Sequence, residues 1–330
     1  MNTFRRWWVA IALVLAFFAA PARASDWTRA PERAERRELP VVPEGWTTVP
    51  GTYLRVHAPE PLVHTALRMA QHGSEALPKL ADRLEVPIGE TIHVFVAPDD
   101  ATFRALQPGA PPTWADATAW PELGVVFLRG ASARKASDAP LEQVFDHELV
   151  HVLLGRAFEP QRPPTWLQEG VAQLLAGELG PEEARTLGRA SVSGWIGLES
   201  IERGFPSDPF RAELAYAESA DFVAYLVDQH GEQVLPALIK ASARGEPLRR
   251  AVFTATGTLF ESAEADWRAT HTPSDLRLAA LADGEWLWVV GAFVLLGAFV
   301  RRRREFHRRL AQMEAEEALV DAWIAAARRV

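Results

Sequence analysis

Four residues of this chain have the types and spacing for hydrolysis at a metal ion. They lie in the stretch FDHELVHVLLGRAFEPQRPPTWLQEG, from Phe145 to Gly170. His147, Glu148 and His151 form an H-E-x-x-H array, and Glu169 follows His151 after 17 intervening residues. In an α-helix, residues i and i+4 sit about 40° apart around the axis, so both imidazoles share a face and can hold one Zn2+. Glu148 lies about 100° round from His147, toward the place an attacking water would occupy. A Lewis acid, a water and a base to take its proton are what hydrolysis needs. An isolated H-E-x-x-H also turns up on ordinary helices, so the array alone leaves both readings open.

A catalytic zinc takes three protein ligands and keeps one position open. Glu169 is the candidate third ligand. Pro140 is a good first residue for the metal helix, which is expected to stop near Gly155, a natural residue just past a helix end. Pro160, Pro163 and Pro164 then forbid helix, and Thr165 with Gln168 reads as a capping box that starts a second one. A connection this short makes the two helices antiparallel neighbours, and Glu169 comes back past the imidazoles. Gly170 predicts close packing against the first helix. Asp146 is a candidate for orienting an imidazole from behind, the plainer alternative being an exposed carboxylate.

His147-Glu148-Leu149-Val150-His151 followed by Trp166-Leu167-Gln168-Glu169-Gly170 resembles the gluzincin metallopeptidases, and within them the small bacterial peptidase-MA-like domains. The resemblance runs from about Thr52 to Trp267. It implies zinc, a peptidase activity on a peptide or protein substrate, the ligands His147, His151 and Glu169, and Glu148 as general base. It also singles out Tyr216, in LAYAESADFVAYL, because gluzincins commonly place a tyrosine or histidine to hydrogen-bond the forming oxyanion. The alternative for Tyr216 is a core aromatic sharing a face with Ser219 and Val223. In gluzincins the strand before the metal helix rims the cleft and pairs with extended substrate. Here that strand is Gly124–Arg129, and the loop bearing Trp114 and Trp120 could close over it. It lacks the Gly-x-Met-Glu-Asn signature of related aminopeptidases, which favours internal cleavage. Two other functions fit the same residues: a catalytically inactive binding module at the membrane, and a zinc hydrolase of a non-peptide cell-envelope substrate. The presence of Glu148 argues against the first.

At 330 residues and 48% hydrophobic content, the chain has room for one sizeable domain with appendages. It has no cysteine, which excludes disulfides and thiolate metal sites. Residues 1–24 carry +3 and residues 301–330 carry +3; set against a whole-chain charge of −8, this leaves −14 on residues 25–300. An acidic body repels phosphates, so nucleic-acid binding is excluded. The basic ends suit membrane topology instead. Nothing here speaks to oligomeric state.

The elements around the site read as an α+β fold, with a small sheet N-terminal to the zinc-binding helix pair and a helical C-terminal half. Residues 1–24 read as a signal peptide, with Arg5 and Arg6, an apolar run and an A-x-A end at Ala22–Ala24; an uncleaved anchor is the alternative. Residues 25–51 read as a loose linker and 52–270 as the metallopeptidase domain. Strands are expected around Tyr53–Arg55, at Thr91–Ala97 and at Gly124–Arg129, with a long helix over Pro61–Val86. Asp99 or Asp100 should cap a short helix, and Gln107–Glu122 should be loop. Helices are expected at Leu214–Asp228, Val234–Ala241, Leu248–Thr254 and Leu259–Ala269. After a spacer, 271–285, the uncharged run Trp286–Val300 spans about 22 Å as a helix, short of the roughly 30 Å of a bilayer core. Arg301–Arg304 follow at once and Trp286 and Trp288 sit at its front edge. It is therefore read as a transmembrane helix, against the alternative of a core helix, with residues 301–330 a basic and then amphipathic cytoplasmic tail. The catalytic domain would then stand on the extracytoplasmic side of a bacterial inner membrane.

Overall fold

The structure is a computed structural model and describes residues 38–113, 115–134, 139–271 and 285–327. The expected signal peptide, residues 25–37 of the linker, Trp114 and residues 272–284 of the spacer lie outside the described residues. Five strands form one mixed sheet in the order β1-β2-β3-β5-β4: β1 (Thr47–Gly51), β2 (Leu54–Ala58), β3 (Ile92–Ala97), β4 (Ala117–Trp120) and β5 (Val125–Arg129). The central strands β2, β3 and β5 are parallel, while β1 and β4 lie antiparallel at the two edges.

Two of these strands depart from expectation, and both are edge strands. β1 falls inside the presumed linker. It closes a hairpin onto β2 through Thr52 and Tyr53, with Tyr53 at φ 64°. The polar run TTVPG hid it, because Pro50 is tolerated on an edge where it would not be inside a sheet. β4 falls inside the presumed loop 107–122 and pairs with β5 from Ala117↔Leu128 to Trp120↔Val125. Four residues ending at a proline are too few to show alternation. β5 is consequently flanked on both sides, and the open rim expected at Gly124–Arg129 belongs to β4.

Both faces of the central strands are covered, which is why they read as near-continuous apolar runs. In β3, Val94 and Val96 face the main core, while Phe95 and Ala97 face a second cluster with Phe103, Trp120 and Phe127. Helix α1 (Val63–Leu84) packs on the main face through Met69, Leu77, Leu80 and Leu84. Burying each such side chain contributes about 1.5–3 kcal/mol. Asp99 caps α2 (Asp100–Ala105), accepting the Thr102 N–H at 2.8 Å.

The metal helix α3 (Leu141–Phe158) runs past Gly155 and stops before Pro160. Gly155 is instead a point of close approach, since a Cβ there would sit 2.1 Å from Pro121 Cβ. α4 (Thr165–Ala176) starts after Pro164 with no side-chain cap, so the expected capping box is absent. Gly170 serves a different contact from the one expected. A Cβ at Gly170 would lie 2.4 Å from the Ser219 carbonyl oxygen on α6 (Pro209–His230), so it admits α6 rather than α3.

Between α4 and α6 lies a further helix, α5 (Pro181–Ser193), which hydropathy did not single out. Then come α7 (Val234–Ala243), α8 (Leu248–Thr256) and α9 (Phe260–Thr270), within a few residues of their expected bounds. Gly231, Gly245 and Gly257 break them at φ 83°, 79° and 74°. Trp166, Phe222 and Trp267 tie α4, α6 and α9 together, with ring centroids 6.1 and 5.3 Å apart. The fold is α+β, a small N-terminal mixed sheet followed by helices.

Residues 285–327 belong to a separate compact unit. There the apolar run and the tail share one continuous helix, α10 (Glu285–Ala327), with Phe293 and Leu295 exposed. Among the described residues, no helix is long and apolar enough to cross a membrane.

Candidate active site

α3 sets His147 and His151 one turn apart, with ring centroids separated by 4.6 Å. α4 packs beside it and lays Glu169 against both rings. Glu169 Oε2 is 3.6 Å from His147 Nε2 and 3.6 Å from His151 Nε2, and the candidate ligand atoms of all three lie within 4.8 Å of one another. Zinc bonds of about 2.0–2.1 Å in tetrahedral geometry separate ligand atoms by about 3.3 Å. Glu169 stands within a few tenths of an ångström of that spacing from each imidazole, and the three groups converge as the ligand set of one zinc would.

The far side of each ring is also engaged. His151 Nδ1 is 2.9 Å from the Gln168 side-chain amide. A ring that offers Nε2 to a metal carries its proton on Nδ1, so the suitable partner is the amide oxygen, reached by turning the same group over. This is what Gln168 does in place of capping α4. His147 Nδ1 lies 3.0 Å from Glu178 Oε1, at ion-pair distance though without the alignment of a full hydrogen bond. Gly177 makes this possible. Its φ of 71° ends α4 and turns the chain back over the metal helix, with the Glu178 N–H held by the Gln173 carbonyl at 3.0 Å. Asp146 has a different partner, His72 Nε2 at 2.7 Å, and so joins α3 to α1. His57 and His93 bond each other across β2 and β3 at 3.0 Å. Carboxylates behind ligand imidazoles typically matter 10–100-fold in metal affinity. Glu178→Ala is expected to weaken zinc binding by about that factor while leaving the melting temperature of the metal-free protein near wild type. Competition with a chelator of known affinity measures it, and an unchanged affinity would show that Glu178 plays no part.

Electrostatics separates the four groups. Burial, above all, pushes the Glu148 carboxyl up to about 8; the charge of His147 opposes this, those of Glu169 and Glu178 add to it, and the Ala119 N–H on β4 also opposes it. Burial also pulls on His147, but Glu169 and Glu178 outweigh it and hold that imidazole well above its ordinary value. His151 is pushed down to about 4 by burial and by the like charge of His147. Glu169 resists burial and stays below the usual carboxylate range because both imidazoles favour its charge. A carboxyl poised near neutrality beside a metal-ligand set suits proton transfer.

These groups open on a cleft of about 880 Å³, bounded on one side by β4 and on the other by α5 and the start of α6. Tyr216 lines it together with His147, Glu148 and Glu169. Its ring stands edge-on to Phe205 at 4.5 Å. Burial and the charges of Glu169, Glu148 and Glu178 hold its hydroxyl well above the ordinary value, so it stays protonated and able to donate. Tyr216 thus faces the cleft. Ser219 and Val223 face Gly170 on α4 instead. Glu178 and the Gln168 contact were missed in sequence. The one available signal was Gly177, a helix-ending glycine followed at once by an acid.

Among solved structures, the chain is similar to a point mutant of an M1 zinc metallopeptidase from Deinococcus radiodurans, at 19% identity and a TM-score of 0.46. The match covers 68% of this chain and 51% of that one, so the chain spans about half its length. No curated protein matches. The family model of the Peptidase MA superfamily matches residues 73–272, which includes every residue of the site. The chain belongs to the Peptidase MA superfamily and carries a gluzincin-like peptidase domain.

Proposed function

We propose that the chain is a zinc endopeptidase, tethered to a bacterial inner membrane with its catalytic domain outside the cytoplasm. The observation that carries the peptidase reading is the convergence of His147, His151 and Glu169 beside a buried, near-neutral Glu148, at the floor of a cleft with a free strand edge. Held by the three ligands, zinc would supply Lewis acidity and a fixed positive charge. Glu148 takes the proton of the attacking water and passes it to the leaving amine. Tyr216 donates its hydroxyl to the oxygen that gains charge. The outer edge of β4 offers backbone groups to an extended peptide, which would be held by strand addition. The missing Gly-x-Met-Glu-Asn signature supports cleavage inside a chain.

The full chain, purified in detergent without chelators, is expected to carry one zinc per molecule by elemental analysis. It should cleave a mixed peptide pool, and a chelator should abolish that activity until zinc is restored. Protein free of stoichiometric zinc, or cleavage that survives the chelator, would overturn this reading.

The membrane part rests on the apolar run 286–300, the four arginines behind it and the signal-like start. Arginines that snorkel and a locally thinned bilayer make up the missing length. Reporter fusions after residue 275 and at the C-terminus should report opposite sides of the membrane. The same side for both would remove the span.

A further inference from the structure

Apart from the ligand imidazoles, the charged groups that line the cleft are of one sign. Besides Glu148 and Glu169, which the hydrolytic centre uses, they are Asp116, Glu178, Glu183 and Glu213, and no lysine or arginine is among the described lining residues. Asp116 on the β4 side is paired with Arg134 at 3.3 Å. Among the described residues, the acidic lining that is in no ion pair therefore lies across the cleft, on α5 and α6. There two carboxylates are fixed in place by neutral donors. Glu213 Oε1 accepts the hydroxyl of the buried Thr186 at 2.7 Å, and Glu183 Oε2 accepts the Gly180 N–H at 2.8 Å. Among the described residues, the second oxygen of each has no protein donor. Neutral donors set the direction of a carboxylate without cancelling its charge.

A second feature of the same wall points to the kind of ligand. Phe210 lines the cleft at the first turn of α6 and is 42% exposed. Phe210, Glu213 and Ala217 fall at i, i+3 and i+7, one face of α6. An aromatic surface beside directed carboxylates suits the long apolar stem and charged head of arginine or lysine. It repels an acidic side chain.

We propose that this wall, built from Glu183, Phe210 and Glu213, is a subsite for a cationic side chain of the substrate, so that the enzyme selects basic stretches of polypeptide. This rests on the peptidase reading of the site. It adds that the acidic body of the domain gathers such segments from a distance, in a salt-dependent way.

The test uses the full chain and a set of peptides identical except at one position near the scissile bond, occupied in turn by Lys, Arg, Ala or Glu and scanned along the peptide. At one position or more, Lys and Arg are expected to exceed Glu by about tenfold in kcat/KM, and the ratio should shrink as ionic strength rises. The double variant Glu183→Gln, Glu213→Gln is expected to lose most of that ratio. Glu213→Lys should turn it toward Glu, and thermal melts check that both variants stay folded. Wild-type cleavage with no charge preference at any position overturns the subsite and leaves the peptidase reading standing. A preference that persists undiminished in the double variant also overturns it. If no peptide is cleaved, the peptidase reading fails, and fluorescence anisotropy with the same labelled peptides decides the subsite. Lys peptides binding about tenfold tighter than Glu peptides would support it, and equal binding would overturn it.

Discussion

Glu148→Gln is expected to keep the fold and the metal while slowing peptide hydrolysis by about 10²–10⁴-fold, the usual worth of a positioned general base. Glutamine nearly matches glutamate in shape, so the cavity under β4 is filled as before. It also removes a carboxyl that burial holds at about 8, so any change in stability should be small or favourable. What is lost is the carboxylate form, the one that accepts the water's proton. Tyr216→Phe should cost less, since it removes one donor to the oxyanion and leaves the ligands and the base in place. Initial rates on a mixed peptide pool, measured with zinc content and melting temperature, read all of this. Equal rates for wild type and Glu148→Gln would end the peptidase reading and leave a binding module in its place.

Glu169→Ala is expected to act on the metal first and on the rate through it. The variant keeps His147 and His151 but loses the one ligand that α4 supplies, so a site built for three protein ligands is left with two. Its zinc affinity should fall further than the 10–100-fold expected for Glu178→Ala, because Glu178 acts only from behind a ligand. His147 also changes, since it loses one of the two carboxylates that hold its imidazole above the ordinary value and keeps Glu178. Competition against a chelator series measures the loss. An affinity equal to wild type would place the third ligand on another residue.

The helix pair and its ligands were legible because their signals are local. Two imidazoles one turn apart need only a helix, and the prolines at 160, 163 and 164 could only end one and precede another. The rest depended on which surface meets which. Gly155 and Gly170 were both noticed, yet a glycine can end a helix or admit a neighbour, and the chain does not say which neighbour arrives. Thr165-x-x-Gln168 fits a capping box, but the same glutamine can reach a histidine on the next helix, and here it does. β1 and β4 escaped because an edge strand needs only a partner on one side and tolerates proline and short length. Missing β4 misassigned the rim of the cleft to β5. Glu178 escaped because its value comes from a turn in three dimensions and not from its place in a motif.

Gly155 has a bearing on the reaction although it carries no chemistry. It stands seven residues beyond Glu148, on the same stripe of α3. That stripe lies along β4 and the turn after it, with the Ala119 N–H toward Glu148 and Pro121 against Gly155. The hydrogen of a glycine is all that separates the helix from the turn after β4 at the far end of this seam, so it acts as a shim of minimum thickness. A methyl group there would wedge the seam open and tilt the helix, lifting the carboxylate away from whatever lies along the outer edge of β4. Displacements of about 1 Å at a reacting pair can cost 10²-fold in rate. The reach of the base is thus metered two turns away, by the absence of a side chain.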